Sequence, residues 1–443
     1  MVKDLTVGKP SEILWRFTLP LFISVMFQQF YNIADSIIVG NFSAHGESAL
    51  AAVGASYPIT MIFMSIALGS NVGCSVVISQ LFGAKEYRQM KTAISTTLIA
   101  SLSLSLILTA LGLLFSPLML KVINTPLDIF ADSNVYLKIY IGGFIFMFLY
   151  NVSNGVFTAL GDSKTPLYFL IGSSLGNILL DYIFVAIFHW DVAGVAWATF
   201  ICQAIACILA LVTIRKRLAR EEFRVKYIIF SMTMLKRIAR IAIPSILQQS
   251  FISVGNVFVQ NLVNGFGTSI VAGYSAAIKI NTFCITCFTT LGNAMSTYTA
   301  QNIGAGNDNR VKEGHIVDLK MGLALSVIFF VACFFEGELL IKLFIDEGAL
   351  AIATGTKFLK IVAPFYMVVV MKLVTDGILR GSGAVGPFMV ATFGDLILRV
   401  ALAYLFSIPF GATGIWMSWP IGWTVGTALS LGFYAKGVWK TKK

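Results

Sequence analysis

The chain has 443 residues, of which 57% are apolar and only 12% charged, with a mean hydropathy of +0.83, a balance that excludes a soluble globular domain and defines a polytopic membrane protein. A net charge of +11 would suggest nucleic acid as partner for a soluble chain; in a membrane protein it places Lys and Arg in the loops of one face, and no nucleic-acid partner is expected. The six cysteines, at 74, 202, 207, 284, 287 and 333, all lie in apolar runs, without the loop positions of disulfides or the His-flanked spacing of a zinc site; Cys284 and Cys287 are expected to pack as small hydrophobes.

Residues 1–16 are polar, and the apolar run after them has full spanning length with no small-residue cleavage site behind it, so a retained first helix is predicted rather than a removed signal. Spans are predicted at 17–41, 52–80, 92–117, 134–159, 166–188, 193–214, 238–264, 270–298, 316–343, 354–379, 387–408 and 413–435, twelve in all. In the first, Gln28, Asn32 and Asp35 fall at i, i+4 and i+7 and share a face. An Asp at the centre of a spanning helix costs roughly 3 kcal/mol, so Asp35 needs a partner, a proton or a water-filled cavity. Pro20 lacks a backbone donor and can bend this helix, as membrane helices tolerate where neighbours satisfy the freed groups.

Loop charge alternates. Lys85, Arg88 and Lys91 follow the second span, Lys164 the fourth, Arg310, Lys312 and Lys320 the eighth and Arg380 the tenth, while the N-terminus, the tail and a middle connection from Arg215 to Arg240 are also cationic. By the positive-inside rule both termini and that connection are cytoplasmic, in a multi-pass protein of the cell (inner) membrane. The connection is expected to bind anionic lipid headgroups.

It also separates two similar halves. Pro20, Asn32 and Val39 match Pro244, Asn256 and Val263; Ser79 to Ala84 matches Ala300 to Ala305; Gly155 to Pro166 matches Gly377 to Pro387; Gly194 to Trp197 matches Gly414 to Met417. Four matches in one order at a nearly constant offset indicate an internal duplication. Six spans per half give both repeats the same orientation. The predicted architecture is therefore all-α and membrane-integral: twelve helices in two six-helix bundles (1–214 and 238–443, joined by a cytoplasmic connection at 215–237) related by a pseudo-two-fold axis along the membrane normal. That arrangement is found in transporters, with substrate expected between the halves.

Three stretches carry a family resemblance: Thr18-Leu19-Pro20 with Gln28-Gln29 and Asn32-Ile33-Ala34-Asp35; Gln80-Leu81-Phe82-Gly83-Ala84 with its repeat at Gln301; and Gly161-Asp162-Ser163-Lys164-Thr165-Pro166. With them the chain resembles the multidrug and toxic compound extrusion (MATE) family over essentially its full length. Asp35, Asn154, Asn177, Asp181 and Thr199 look like the bacterial and archaeal subgroup named for a DNA-damage-inducible member. In that subgroup the resemblance implies a polar chamber in the N-terminal half that couples protons or sodium. The norfloxacin-efflux subgroup is not matched: the seventh span has Gln248, Gln249, Asn256, Gln260 and Asn261 but no acid, and Asp376 sits near the Arg380 end of the tenth.

The residues support this chemistry independently. Asn177 and Asp181 are one turn apart on one helix face, and Thr199 and Gln203 repeat that spacing on the next span. Two carboxyls facing each other in a dry chamber would each hinder the other's ionisation, which a proton or a sodium ion relieves. The bland alternative is that the amides and hydroxyls only bridge helices, each contributing about 0.6 kcal/mol. The C-terminal half holds Lys279, Lys372 with Asp376, and Asp395 with Arg399, the last two pairs at i and i+4. They either neutralise each other within one helix or line a polar pocket, to which Gln249, Asn256 and Gln260 on a shared face could belong.

No GxxxxGK[ST] loop, HExxH or dense His and Cys set is present, so neither ATP-driven transport nor an enzyme is indicated, and no cofactor is expected. The expected activity is a monomeric antiporter, surrounded by membrane lipids, that exports organic, cationic, amphipathic compounds in exchange for protons or sodium. A flippase for a lipid-linked saccharide or other amphipathic lipid is the alternative. Flippases of that type have more spans and a more cationic cavity.

Overall fold

A computed structural model describes residues 3–42, 46–219, 223, 225–345 and 348–440, with the side chains of 32–50 outside the description. Asn32 and Asp35 therefore lie on described helix but outside the described side chains. Ser43, Arg220, Arg224, Lys442 and Lys443 lie outside altogether.

Without water to pair with, backbone amides inside a bilayer must bond within their own segment, and these apolar runs become helices. In chain order they are α1 (Pro10–Phe42), α2 (Gly46–Gly83), α3 (Tyr87–Val122), α4 (Phe130–Ala159), α5 (Lys164–Asp181), which continues into a π-helical turn (Tyr182–Ile187), and α6 (Asp191–Leu218). Then follow α7 (Met232–Asn264), α8 (Thr268–Gly304), α9 (Asp308–Phe335), the short α10 (Gly337–Lys342), α11 (Ala349–Val362), a 3₁₀ turn (Ala363–Phe365), α12 (Tyr366–Gly381), α13 (Val385–Phe410) and α14 (Ala412–Ala435). No strand occurs among the described residues. Among the described residues eleven spans are long and apolar enough to cross a membrane, α11 and α12 counting as one; α14, diluted by Trp416, Trp419, Trp423 and glycines, is the twelfth.

Besides helix ends that run a turn or two beyond the expected spans, two features differ from the sequence reading. The ninth span, expected at 316–343, is helical from Asp308 and ends at Phe335, because the chain breaks at Glu336 before Gly337 opens α10. The tenth is interrupted at Ala363–Phe365, where Pro364 cannot supply an amide and the helix tightens to 3₁₀.

The chain forms two compact units, residues 1–4 with 19–250 and residues 5–18 with 251–443. Each has the same internal plan. In the first, α2 packs on α3 and α4, α4 on α3 and α6, and α5 on α6; in the second, α8 packs on α9 and on α11–α12, α12 on α9 and α14, and α13 on α14. Lipid offers no hydrophobic force between helices, so close contact must come from small residues. A Cβ on Gly155 of α4 would stand 2.9 Å from the Asn71 carbonyl of α2, and one on its counterpart Gly377 of α12 would stand 2.3 Å from the Gly292 carbonyl of α8. Both repeats therefore use one crossing.

The repeated Gln-containing motif is the end of α2 and of α8. Ala84, Lys85 and Glu86 donate to Gln80, Phe82 and Leu81, and Ala305, Gly306 and Asn307 donate to Gln301, Ile303 and Asn302 in the same pattern. The turn needs a left-handed residue, which is Lys85 at φ 59° in one repeat and Gly306 at 73° in the other.

Candidate functional site

In the first unit α5 presents Ser174, Asn177 and Asp181 to the interior, with Asp181 wholly buried and Asn177 3% exposed. The i, i+4 spacing does what the sequence implies and puts both on one face. The Tyr31 hydroxyl of α1 donates to Asn177 Oδ1, tying the first helix to α5. Asp181 ends the α-helical part of α5, and the chain enters the π turn at the next residue. Such turns widen the backbone ladder and recur at functional positions. Cys202 Sγ of α6 lies 3.6 Å from where a Gly176 Cβ would stand.

Asn154 on α4 and Thr199 and Gln203 on α6 are half-buried in the same unit. Asn154 Oδ1, Gln203 Oε1 and Asn177 Nδ2 are buried atoms without a hydrogen-bond partner among the described residues. Two acceptors and one donor left open in a protein interior are unusual. Pro20 is buried within a continuous α1, where its carbonyl accepts the Ser24 hydroxyl at 2.9 Å. Gln28 and Asn256 are exposed, while Gln249 and Gln260 are half-buried, Gln260 donating to Asn264 at 2.9 Å.

The Gly161–Pro166 motif is a clamp. Asp162, 1% exposed, accepts the Lys164 and Thr165 amides at 3.1 Å each and the Thr165 hydroxyl at 2.8 Å, and pairs with Arg217 at the end of α6. Arg217 also donates to Thr165 Oγ1 at 2.6 Å and lies 4.9 Å above the Phe157 ring. One loop thus binds the ends of α4, α5 and α6. Burial alone would raise the Asp162 pKa, but the hydrogen bonds it accepts, together with the Arg217 charge, outweigh it and hold the carboxyl below its ordinary value. Arg217 was expected at lipid headgroups and is instead committed to this pair. The middle connection is likewise fixed to α3, through Lys91 to the Leu218 and Phe223 carbonyls (3.1 and 3.0 Å) and through Thr92, Ser95 and Thr96 to residues 228, 229 and 231.

The second unit holds a buried charge cluster. Lys372 Nζ is 2.8 Å from Asp376 and 3.8 Å from Asp395, and the Ser430 hydroxyl donates to the other oxygen of Asp376. The expected Lys372–Asp376 pair forms; the expected Asp395–Arg399 pair does not. Asp395 turns across to Lys372, and Arg399 stacks on Trp419 at 4.2 Å. The reason is α14: Cβ atoms on Gly422 and Gly426 would stand 2.6 Å from Asp395 Oδ1 and 2.5 Å from Lys372 Cε, so these glycines form the notch the charges occupy. Lys279 lies apart, exposed on α8 with its ammonium 5.7 Å from the Phe344 ring centroid.

Two residues in this unit were not singled out by sequence. Asp318 of α9 is fully buried, and neither carboxyl oxygen has a hydrogen-bond partner among the described residues. His315, one turn earlier and 4% exposed, is 3.1 Å from the Thr375 hydroxyl and packs its ring on Tyr434.

A duplicated helical membrane fold with buried carboxyls and amides in each unit is the architecture of a secondary transporter. The MatE family profile matches residues 20–183 and again 244–405, one match per repeat, and the chain belongs to that family. The "Probable multidrug resistance protein YpnP" of Bacillus subtilis is 30% identical over 447 residues, covering 99% of this chain and 98% of that protein. An "FAD transporter" of Shewanella oneidensis is 25% identical over 344 residues, 75% of this chain and 74% of that one. In fold, the chain is similar to a solved "outward-facing conformation of a multidrug resistance MATE family transporter of the MOP superfamily", with a TM-score of 0.90 at 22% identity and coverage of 99% and 98%.

Proposed function

We propose that this chain is a secondary active antiporter that exports organic, amphipathic, chiefly cationic compounds in exchange for protons or sodium ions. The observation that carries the reading is the wholly buried Asp181, one turn from Asn177 on α5 and at the start of a π turn. An ionisable group buried within a membrane span marks a place where a proton or a sodium ion can be taken up. The multidrug name of the Bacillus relative supports the substrate class. Coupling is assigned to the N-terminal set, Asp35, Asn154, Asn177, Asp181 and Thr199, as in the DNA-damage-inducible subgroup, with Pro20 as the point where α1 can bend.

Coupling requires that the ion bind one conformation better than the other, and a tenfold ion gradient exchanged one for one supplies about 1.4 kcal/mol. The transporter works as a monomer in the cell (inner) membrane with both termini cytoplasmic, and needs no cofactor. The test is dye flux in vesicles reconstituted with the full chain, with proton and sodium gradients imposed separately and flavin nucleotides added to the panel. Flux under one gradient identifies the ion; no flux of any compound under either gradient overturns the exporter and leaves the lipid flippase.

A further inference from the structure

The Asp318 carboxyl has no role in the exchange just described, and its surroundings give it one. A Cβ on Gly314 would meet the Tyr298 ring of α8, and one on Gly322 would meet Val370 of α12 and Leu291 of α8, so the face of α9 that carries Asp318 is sealed by apolar side chains and one phenol. No cation is close. On α12, Lys372 is committed to Asp376 and Asp395, and Asp376 to Lys372 and Ser430 of α14. The Tyr298 hydroxyl of α8 donates to the Arg310 carbonyl at 3.1 Å. Around α10 and α11, Glu338 pairs with Lys342, and Lys357 and Lys360 are exposed. Lys312, Glu313 and Lys320 of α9 itself are also exposed.

An ionised carboxylate cannot persist there without a counter-charge, so the conformation described holds the carboxylic acid. Even the neutral acid, unbonded, costs about 1–3 kcal/mol more than an apolar side chain of similar size would. His315 shares its face one turn, about 4.5 Å, nearer the start of α9. The Thr375 hydroxyl gives its one proton to the Met371 carbonyl at 2.7 Å, so His315 Nε2 must be the donor in its 3.1 Å bond to Thr375, and Nδ1 is left as the basic nitrogen. Lys312 and Glu313 mark the water boundary just beyond.

We propose that Asp318 is a proton-binding site of the C-terminal unit, filled and emptied through His315. The proton leaves Asp318 for His315 Nδ1, giving carboxylate and imidazolium, and the imidazolium passes it to water at the start of α9. Refilling reverses both steps. The emptied carboxylate, lacking a partner in this packing, favours a different arrangement of α9 against α8 and α12, which is how a proton can bias a conformation. The site would add a second proton to the exchange proposed above and rests on that reading for its purpose, though not for its existence.

Infrared difference spectra of the full chain in lipid nanodiscs, taken from acid to alkaline pH, test it. The wild type should lose carboxylic-acid C=O intensity on alkalinisation. Asp318→Asn should lack one component of that signal, and Asp318→Glu should restore it at a shifted midpoint. His315→Gln can keep the bond to Thr375, and should leave the component in place while slowing its decay after a pH jump about 100-fold, the low end of what a positioned acid–base group contributes. An Asp318→Asn spectrum with every wild-type component overturns the site, and an unchanged decay in His315→Gln overturns the relay. In vesicles, proton-driven efflux by Asp318→Asn should have a flattened dependence on pH. If wild type moves no substrate, the exporter reading fails while the spectra still decide this one.

Discussion

Single side chains in this protein answer to burial before anything else. Asp181→Asn and Asp35→Asn should each imitate the ion-loaded carboxyl, abolishing ion-driven efflux while folded protein is recovered in full. Retained efflux in Asp35→Asn would remove it from the coupling set. The cluster in the second unit should respond in stability. Lys372→Met leaves Asp376 and Asp395 facing each other without their cation and should cost about 3–5 kcal/mol in unfolding assays, whereas Asp395→Asn leaves the 2.8 Å Lys372–Asp376 pair intact and should cost less. The Asp162 clamp adds a pH dependence. Its folded pKa is depressed, so its contribution is present above the ordinary carboxylate value of about 3.9 and is lost as pH falls through the lower folded value. Asp162→Asn should remove that acid sensitivity and cost about 3 kcal/mol by stranding Arg217, and adding Arg217→Met should recover part of the loss. Asn177 and Asp181 were legible in sequence because helical spacing alone fixes a shared face. Asp318 was not, since it lies among Lys312, Glu313 and Lys320 at the start of a predicted span, where an acid reads as solvent-facing. Arg399 misled for the opposite reason: spacing within one helix cannot show that Trp419 of α14 offers a better partner.

Helix ends obey local chemistry that both repeats expose twice. Lys85 and Gly306 occupy the same left-handed turn position, and open space surrounds Gly306, so only backbone strain separates them. Gly306→Ala should destabilise by about 1 kcal/mol and Lys85→Gly should be neutral or stabilising by up to that amount, as thermal unfolding of the purified variants would show. Helix existence was readable from apolar length alone. The break at Pro364 and the early end of α9 at Phe335 were not, because hydropathy averages over a window wider than one turn. The π turn after Asp181 left no signal either, Tyr182–Ile187 being as apolar as the spans around it.

For the molecule as a whole, the duplication was visible in four short matches and reappears as one packing plan used twice. Orientation is the proposed part. All six native cysteines are buried, so they should stay silent to an impermeant thiol reagent. Single cysteines at Arg220 or Lys440 should be protected in intact cells and one at Ser43 labelled; the reverse pattern would invert the protein. The division into units does not follow the division into repeats. Residues 5–18 belong to the second unit, where the Leu5 amide donates to Gln301 Oε1 at 2.9 Å, Asn302 Nδ2 to the Leu5 carbonyl at 3.4 Å and Arg310 to the Gly8 carbonyl at 2.9 Å, and where Leu5, Leu14 and Phe17 are buried. Residues 232–250 of α7 belong in turn to the first, with Ile246 and Ala242 set against Gly69 and Gly73 of α2. If the gene were cut in the middle connection, neither polypeptide would carry all of its own unit: the downstream half would lack the segment that covers the end of α8, and the upstream half the start of α7. Each fragment made alone should be degraded or aggregate, and the two made together should rescue one another, a genetic complementation test that needs no knowledge of the substrate.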